Sequence, residues 1–172
     1  RGTTLKLNGL KDKENNLEIA ESIISGEKIN LDSPSKALKY LSPIQLETFV
    51  FKLFNDNGYI VTSYRGGAKK IIDLHIIDDG DVSNNIKYFN LKEILIQVKR
   101  TKSISESKIT KDYLDKGYYF LTTEDWKGEV PASRDYFIGA KELNNILSEN
   151  HTLTVIKWLK RVLGEKYFKY NF

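Results

Sequence analysis

The chain has no cysteine and no methionine, and its 172 residues include only three prolines and two histidines. Without cysteine there can be no disulfide and no thiolate metal site. His75 and His151 are too few for a histidine-rich zinc centre, so a bound metal would be held mainly by oxygen. Long apolar runs are also missing. The densest, Ile94 to Val98, is far too short to cross a bilayer, and the N-terminus lacks the charge, apolar stretch and small residues of a signal peptide. The expectation is a soluble, cytoplasmic protein of prokaryotic type with no membrane partner. Because position 1 is Arg and not Met, residues are expected to precede Arg1.

What is present fits one globular domain. A chain of this length with 40% apolar residues can bury a single sheet-based core with helices packed on it. Lys and Arg outnumber Asp and Glu by 27 to 23, a formal charge of +4 with pI near 9.0. That excess permits a polyanionic partner without demanding one.

Along the chain, Leu17, Ala20, Ile23 and Ile24 recur at helical spacing over residues 12–25, and Gly26 stands where a helix commonly ends. Residues 30–35, around Pro34, read as a loop, and 36–41 as a short helix. Ser42 then Pro43 is a helix start, with Gln45 read as one residue short of a standard capping box. Leu46, Phe49, Val50, Leu53 and Phe54 form the apolar stripe of that helix, which should stop between Asn55 and Gly58.

Tyr59–Tyr64 and Ile71–Ile77 have strand composition, with Gly66 and Gly67 as the turn between them. After a polar loop, 78–85, a third strand falls within Tyr88–Arg100, and its apolar run makes it central. Residues 103–115 are expected to be partly helical. Tyr118–Thr122 and Tyr136–Ile138 read as the fourth and fifth strands, and Ala140–Leu147 as a helix. Val155, Trp158, Leu159 and Val162 against Lys157, Lys160 and Arg161 mark an amphipathic C-terminal helix. There is no internal repeat.

Two polar insertions interrupt these apolar strands: Asp73 between Ile72 and Leu74, and Gln97 and Lys99 flanking Val98. Burying such groups needs a reason. Alternation puts Gln97 and Lys99 on one face, roughly 6–7 Å apart along the strand, where Asp73 on a neighbouring strand can meet them. A carboxylate and an amide oxygen converging there can hold a hard divalent cation. The lysine ammonium can orient or activate a water and offset charge growing on a phosphate, which is the chemistry of phosphodiester hydrolysis.

The pattern Asp73 … Gln97-Val98-Lys99 resembles the signature of the PD-(D/E)XK nuclease superfamily. The form Ile96-Gln97-Val98-Lys99-Arg100 is similar to its Mrr-like restriction endonuclease branch. So is the preceding helix, Leu41-Ser42-Pro43-Ile44-Gln45-Leu46-Glu47-Thr48-Phe49, ending at Gly58-Tyr59. The later segments Gly117-Tyr118-Tyr119-Phe120-Leu121-Thr122-Thr123 and Tyr136-Phe137-Ile138-Gly139-Ala140-Lys141-Glu142-Leu143 extend the likeness, which covers roughly residues 42–148. The chain departs from the family pattern in having Ile72 and not proline before Asp73, and a long hairpin over residues 78–87.

The resemblance implies an α/β fold: a restriction-endonuclease-like central mixed sheet of about five strands flanked by helices, with the site at one edge. Residues 1–41 would be an N-terminal helical extension, 42–148 the nuclease core and 149–172 a C-terminal helical segment. It implies Mg²⁺, with Mn²⁺ able to substitute, held by Asp73 and Gln97 with help from Glu47, and Lys99 as the group that positions water. Double-stranded DNA is the implied substrate. Arg100, Lys102 and Lys108, with Lys99 and Lys111 nearby, are candidate phosphate contacts.

Each assignment has a plainer counterpart. Asp73 can be a strand-end capping acid, Glu47 a solvated helix residue, His75 a satisfied structural histidine, and the basic cluster an ordinary solvated face. The tyrosines and phenylalanines around Tyr118 are expected in strands and core. The core leaves little chain for reading bases, which suggests a small catalytic subunit of a heterodimeric restriction endonuclease, served by a larger DNA-recognition subunit. The alternatives are a stand-alone homodimeric Mrr-like or junction-resolving nuclease, and a non-catalytic nucleic-acid-binding module of the same fold.

Overall fold

The computed structural model describes residues 13–64, 72–78, 93–99, 118–123, 137–148 and 153–172. In chain order the elements are α1 (Lys13–Ser25), β1 (Ile29–Leu31), α2 (Pro34–Leu38), α3 (Pro43–Asn55), β2 (Ile60–Tyr64) and β3 (Leu74–Ile77). There follow β4 (Glu93–Lys99), β5 (Tyr118–Thr122), β6 (Phe137–Ile138), α4 (Ala140–Leu147), α5 (Leu153–Leu163) and β7 (Phe168–Tyr170).

Helix α3 is fixed at both ends by local chemistry. The Ser42 hydroxyl accepts from the Gln45 amide N–H at 3.3 Å, and the Gln45 side-chain oxygen accepts from the Ser42 N–H at 2.8 Å. Gln45 therefore completes a reciprocal capping box. The expectation that it fell one residue short is corrected: with Ser42 as N-cap and Pro43 the first helical residue, Gln45 stands at the third helical position, where the box requires it. At the other end Gly58 takes φ 86° and the Tyr59 N–H reaches back to the Phe54 carbonyl at 3.1 Å, the closing bond of a Schellman turn. Between these ends Leu46, Phe49, Val50, Leu53 and Phe54 are all buried, as their spacing predicts. Each contributes about 1.5–3 kcal/mol relative to exposure.

The main sheet has five strands in the order β2-β3-β4-β5-β6, the last only two residues long. β2, β3 and β4 pair antiparallel, whereas β4, β5 and β6 run parallel. Mixed α/β architecture and the density of apolar residues in β4 agree with the sequence. Leu74 lies opposite Ile96 and Ile76 opposite Ile94, so these four share one face, and all are fully buried. On the other face Ile60 and Thr62 of the edge strand are exposed. Helix α3, which packs across β2, β3 and β4, thus covers the apolar face.

Several boundaries differ from the sequence reading. Residues 30–35 are not simply a loop: Ile29–Leu31 forms β1, and α2 starts already at Pro34, whose fixed φ suits a first helical turn. The C-terminal segment is not only helical. After α5 the chain turns at Gly164 (φ 75°) into β7, which pairs parallel with β1. This second, two-stranded sheet joins the two ends of the described chain through a pairing some 140 residues apart, which no local pattern announces. β3 begins at Leu74, with Asp73 in the bend before it, whereas Ile71, the expected first residue, lies outside the described residues. The expected turn at Gly66 and Gly67, the loop beyond Asp78, the helix over 103–115 and Tyr136 lie outside the described residues.

Candidate active site

Because β3 and β4 pair antiparallel with Leu74 opposite Ile96, the next position outward sets Asp73 opposite Gln97. Asp73 is tied to β4 twice: its N–H donates to the Ile96 carbonyl at 2.9 Å, and its Oδ2 accepts from the Val98 N–H at 2.7 Å. The carboxylate thus continues the ladder past the end of β3, and among the described residues its Oδ1 makes no hydrogen bond. The capping reading and the site reading of Asp73 coexist, since one oxygen serves each.

Gln97 is only 8% exposed, yet among the described residues its amide makes no side-chain hydrogen bond. Lys99, the last residue of β4, is half-buried and lies beside Thr122 of β5, which is 3% exposed. By alternation Gln97 and Lys99 occupy the face of Asp73, while Ile96 and Val98 turn into the core. The three therefore share one face of the sheet near its strand ends. They sit on interior strands, so the site is at strand ends and not at the sheet edge, as had been expected. Those ends are the carboxyl ends of the parallel strands β4 and β5, the usual place for ligands in open α/β sheets.

Glu47 lies in the second turn of α3 and is half-buried, on the helix that crosses β2, β3 and β4. Arg100, Lys102, Lys108 and Lys111 lie outside the described residues, as does His151. Among the described residues no group of three or more His, Asp or Glu side chains could hold a metal ion. The donors that meet at the end of β3 are one carboxylate oxygen of Asp73 and the buried amide of Gln97. Oxygen donors of this kind are the type that a hard cation keeping waters of its own would take.

A second polar group shares this sheet face. His75, opposite Leu95, has Nδ1 2.8 Å from the Thr62 hydroxyl and Nε2 2.7 Å from Glu93 Oε1. With the ring proton on Nε2, the imidazole donates to the carboxylate and accepts from the threonine. Thr62 is the extra residue where the β2–β3 register shifts between Val61 and Ser63, so the chain Thr62–His75–Glu93 pins a bulge across three strands. His75 is a structural residue with both nitrogens engaged. Thr62 and Glu93 were not singled out from the sequence; only the pairing register brings them to His75, 13 and 18 residues away. Thr122 and Thr123, both buried at the end of β5 next to Lys99, were likewise missed as neighbours of the site.

Comparison of the chain with models of protein families, with curated proteins and with solved structures returned no match. The geometry of the site is thus the ground for a functional reading. No helix among the described residues is long and apolar enough to cross a membrane.

Proposed function

We propose that this chain is a divalent-cation-dependent endodeoxyribonuclease of the PD-(D/E)XK type, Mrr-like in its glutamine form, built on a restriction-endonuclease-like core. The observation that carries the reading is the placement of Asp73 opposite Gln97, with Lys99 two residues further along the same face, at the carboxyl ends of β4 and β5. The strand pairing supports it as well: two antiparallel contacts followed by parallel ones, preceded by a capped helix that packs across the first three strands.

In this reading Asp73 and Gln97 would hold Mg²⁺, or Mn²⁺ in its place, and Glu47, on the helix that covers the opposite face of the sheet, would assist only from beyond the strand ends. The cation, when bound, supplies polarisation of water and of the scissile phosphate. Asp73 is kept in place by its Val98 hydrogen bond, so the ligand oxygen needs no reorganisation. Lys99 orients the attacking water and offsets charge on the phosphoryl oxygens as the water oxygen bonds to phosphorus, its proton passing to solvent, and the P–O bond to the leaving sugar oxygen breaks, that oxygen taking a proton from solvent. Selection of the DNA sequence is assigned to a larger recognition subunit.

The test is nicking of supercoiled plasmid by the purified chain with Mg²⁺ or Mn²⁺, alone and with candidate partner subunits. Lys99→Ala should slow nicking at least about 100-fold, equal to about 2.7 kcal/mol of transition-state stabilisation, with unchanged thermal unfolding. A folded Lys99→Ala chain that cuts as fast as the parent would overturn the assignment.

A further inference from the structure

The charge of this molecule is unevenly placed. Residues 153–172 contain Lys157, Lys160, Arg161, Lys166 and Lys169 against Glu165 alone. They take five of the 27 basic and one of the 23 acidic residues, which leaves 22 of each sign in the rest of the chain. The formal excess of +4 therefore resides wholly in α5 and β7. Of these cations Lys157, Arg161, Lys166 and Lys169 are exposed.

Lys160 is different. It is half-buried, its ammonium donates to the Phe172 carbonyl, and it lies over the Phe172 and Tyr170 rings at 4.8 and 5.6 Å. It ties β7 to α5 and so fixes the surface that carries the other four. Favourable interaction with the helix dipole accounts for Lys160 and Arg161 in the last turn of α5, but not for Lys157, Lys166 or Lys169. Lys157 and Arg161 are one turn apart on a helix that has no acidic residue, an arrangement that costs a few tenths of a kcal/mol by like-charge repulsion. The acids nearby do little to balance them. Asp32 is bound to Lys36, and Lys28 follows Glu27 directly in the chain.

We infer that the exposed face of α5 and β7 is a binding surface for the phosphate backbone of duplex nucleic acid, separate from the Asp73–Gln97–Lys99 site. α5 packs on α2 and α3, its Trp158 ring 6.3 Å from Phe49, so the surface belongs to the helical layer. Its exposed cations, Lys157 and Arg161 on α5, Lys166 in the turn after it and Lys169 on β7, carry no neutralising acid but Glu165 in this segment, a charge that suits a polyanion. Such contacts position DNA without reading its sequence, in keeping with recognition left to another subunit.

The full chain is titrated with a 30-base-pair duplex in EDTA, where no cleavage can intervene, across a range of NaCl concentrations. The parent should bind with log K falling linearly in log salt. The triple variant Lys157→Ala, Arg161→Ala, Lys169→Ala should bind more weakly and lose about 0.9 of slope for each phosphate contact removed, roughly 2–3 in all. The double variant Lys157→Arg, Lys169→Arg should bind as the parent does. Unchanged affinity and slope in a folded triple variant would overturn the inference, as would absence of duplex binding by the parent at low salt. Equal affinity of the parent for poly-glutamate would overturn the nucleic-acid assignment. Absence of plasmid nicking by the parent, with patch-dependent duplex binding retained, would count against the nuclease reading alone.

Discussion

Two polar groups lie on one face of the same sheet and are built in opposite ways. Thr62, His75 and Glu93 satisfy one another across three strands: each imidazole nitrogen has a partner below 3 Å, and Glu93 reaches it from solvent at 64% exposure. Asp73, Gln97 and Lys99 are nearer the strand ends and less solvated, yet they are not paired with each other; the Asp73 carboxylate spends one oxygen on the Val98 N–H. Burying polar groups without mutual partners costs free energy that a purely structural cluster avoids. A closed group explains itself by stability. An open one calls for a ligand.

The sharpest way to break this distinction is at Asp73, because its two oxygens belong to different tasks. Asp73→Ala removes both and leaves the Val98 N–H without its acceptor, at a cost of about 1–3 kcal/mol in urea unfolding. Asp73→Asn keeps an acceptor oxygen for Val98, so its stability should lie within about 1 kcal/mol of the parent's. Both should lose nicking by at least about 100-fold, since a neutral amide is a poorer ligand for a hard cation. If Asp73→Asn cut DNA like the parent, Asp73 would be a capping residue and the two polar groups would be alike after all.

A smaller effect is expected from the closed group. His75→Ala cuts the chain between Thr62 and Glu93 and should cost about 1 kcal/mol of stability, while nicking changes less than about tenfold. Melting curves and initial nicking rates measured on the same sample separate the two. A folded His75→Ala chain with nicking down 100-fold would make His75 part of the site, and the face would then hold one functional cluster.

The open group was legible in the sequence because its signal is local: a glutamine and a lysine two apart inside an apolar run, after a helix announced by Ser42-Pro43 and the stripe from Leu46 to Phe54. The closed group was not. Thr62, His75 and Glu93 are unremarkable singly, and their meeting depends on register and on a bulge, which are set by pairing between strands. The β1–β7 sheet was hidden for the same reason. Three-residue strands with Asn30 and Lys169 at their centres carry no periodicity of their own and form only because Leu31 and Phe168 are buried together with α1 and α5 around them. The capping box, by contrast, was legible: Ser42-Pro43-Ile44-Gln45 already has the spacing the box requires, and counting Gln45 as one residue short was an error of position.

A third polar group, remote from the sheet ends, extends the comparison to pH. Glu18 of α1 accepts a hydrogen bond from the Tyr40 phenol and meets the Lys39 ammonium at 3.1 Å, another closed arrangement. The Tyr40 hydrogen bond first, and then Lys39, hold the Glu18 carboxyl below its ordinary value of 4.5. A carboxyl depressed in the folded state contributes stability that is present above its unfolded value and is lost as pH falls through the folded one. Glu18→Gln should therefore flatten part of the acid limb of the melting temperature against pH, and lower the melting temperature slightly at pH 7. The effect is the smallest of the set, because Glu18 is 44% exposed and water screens the pair. Nicking at neutral pH should be unchanged. Superimposable acid limbs would mean that this contact contributes nothing to stability, and a change in nicking would mean that closed groups, too, reach the chemistry at the end of β4.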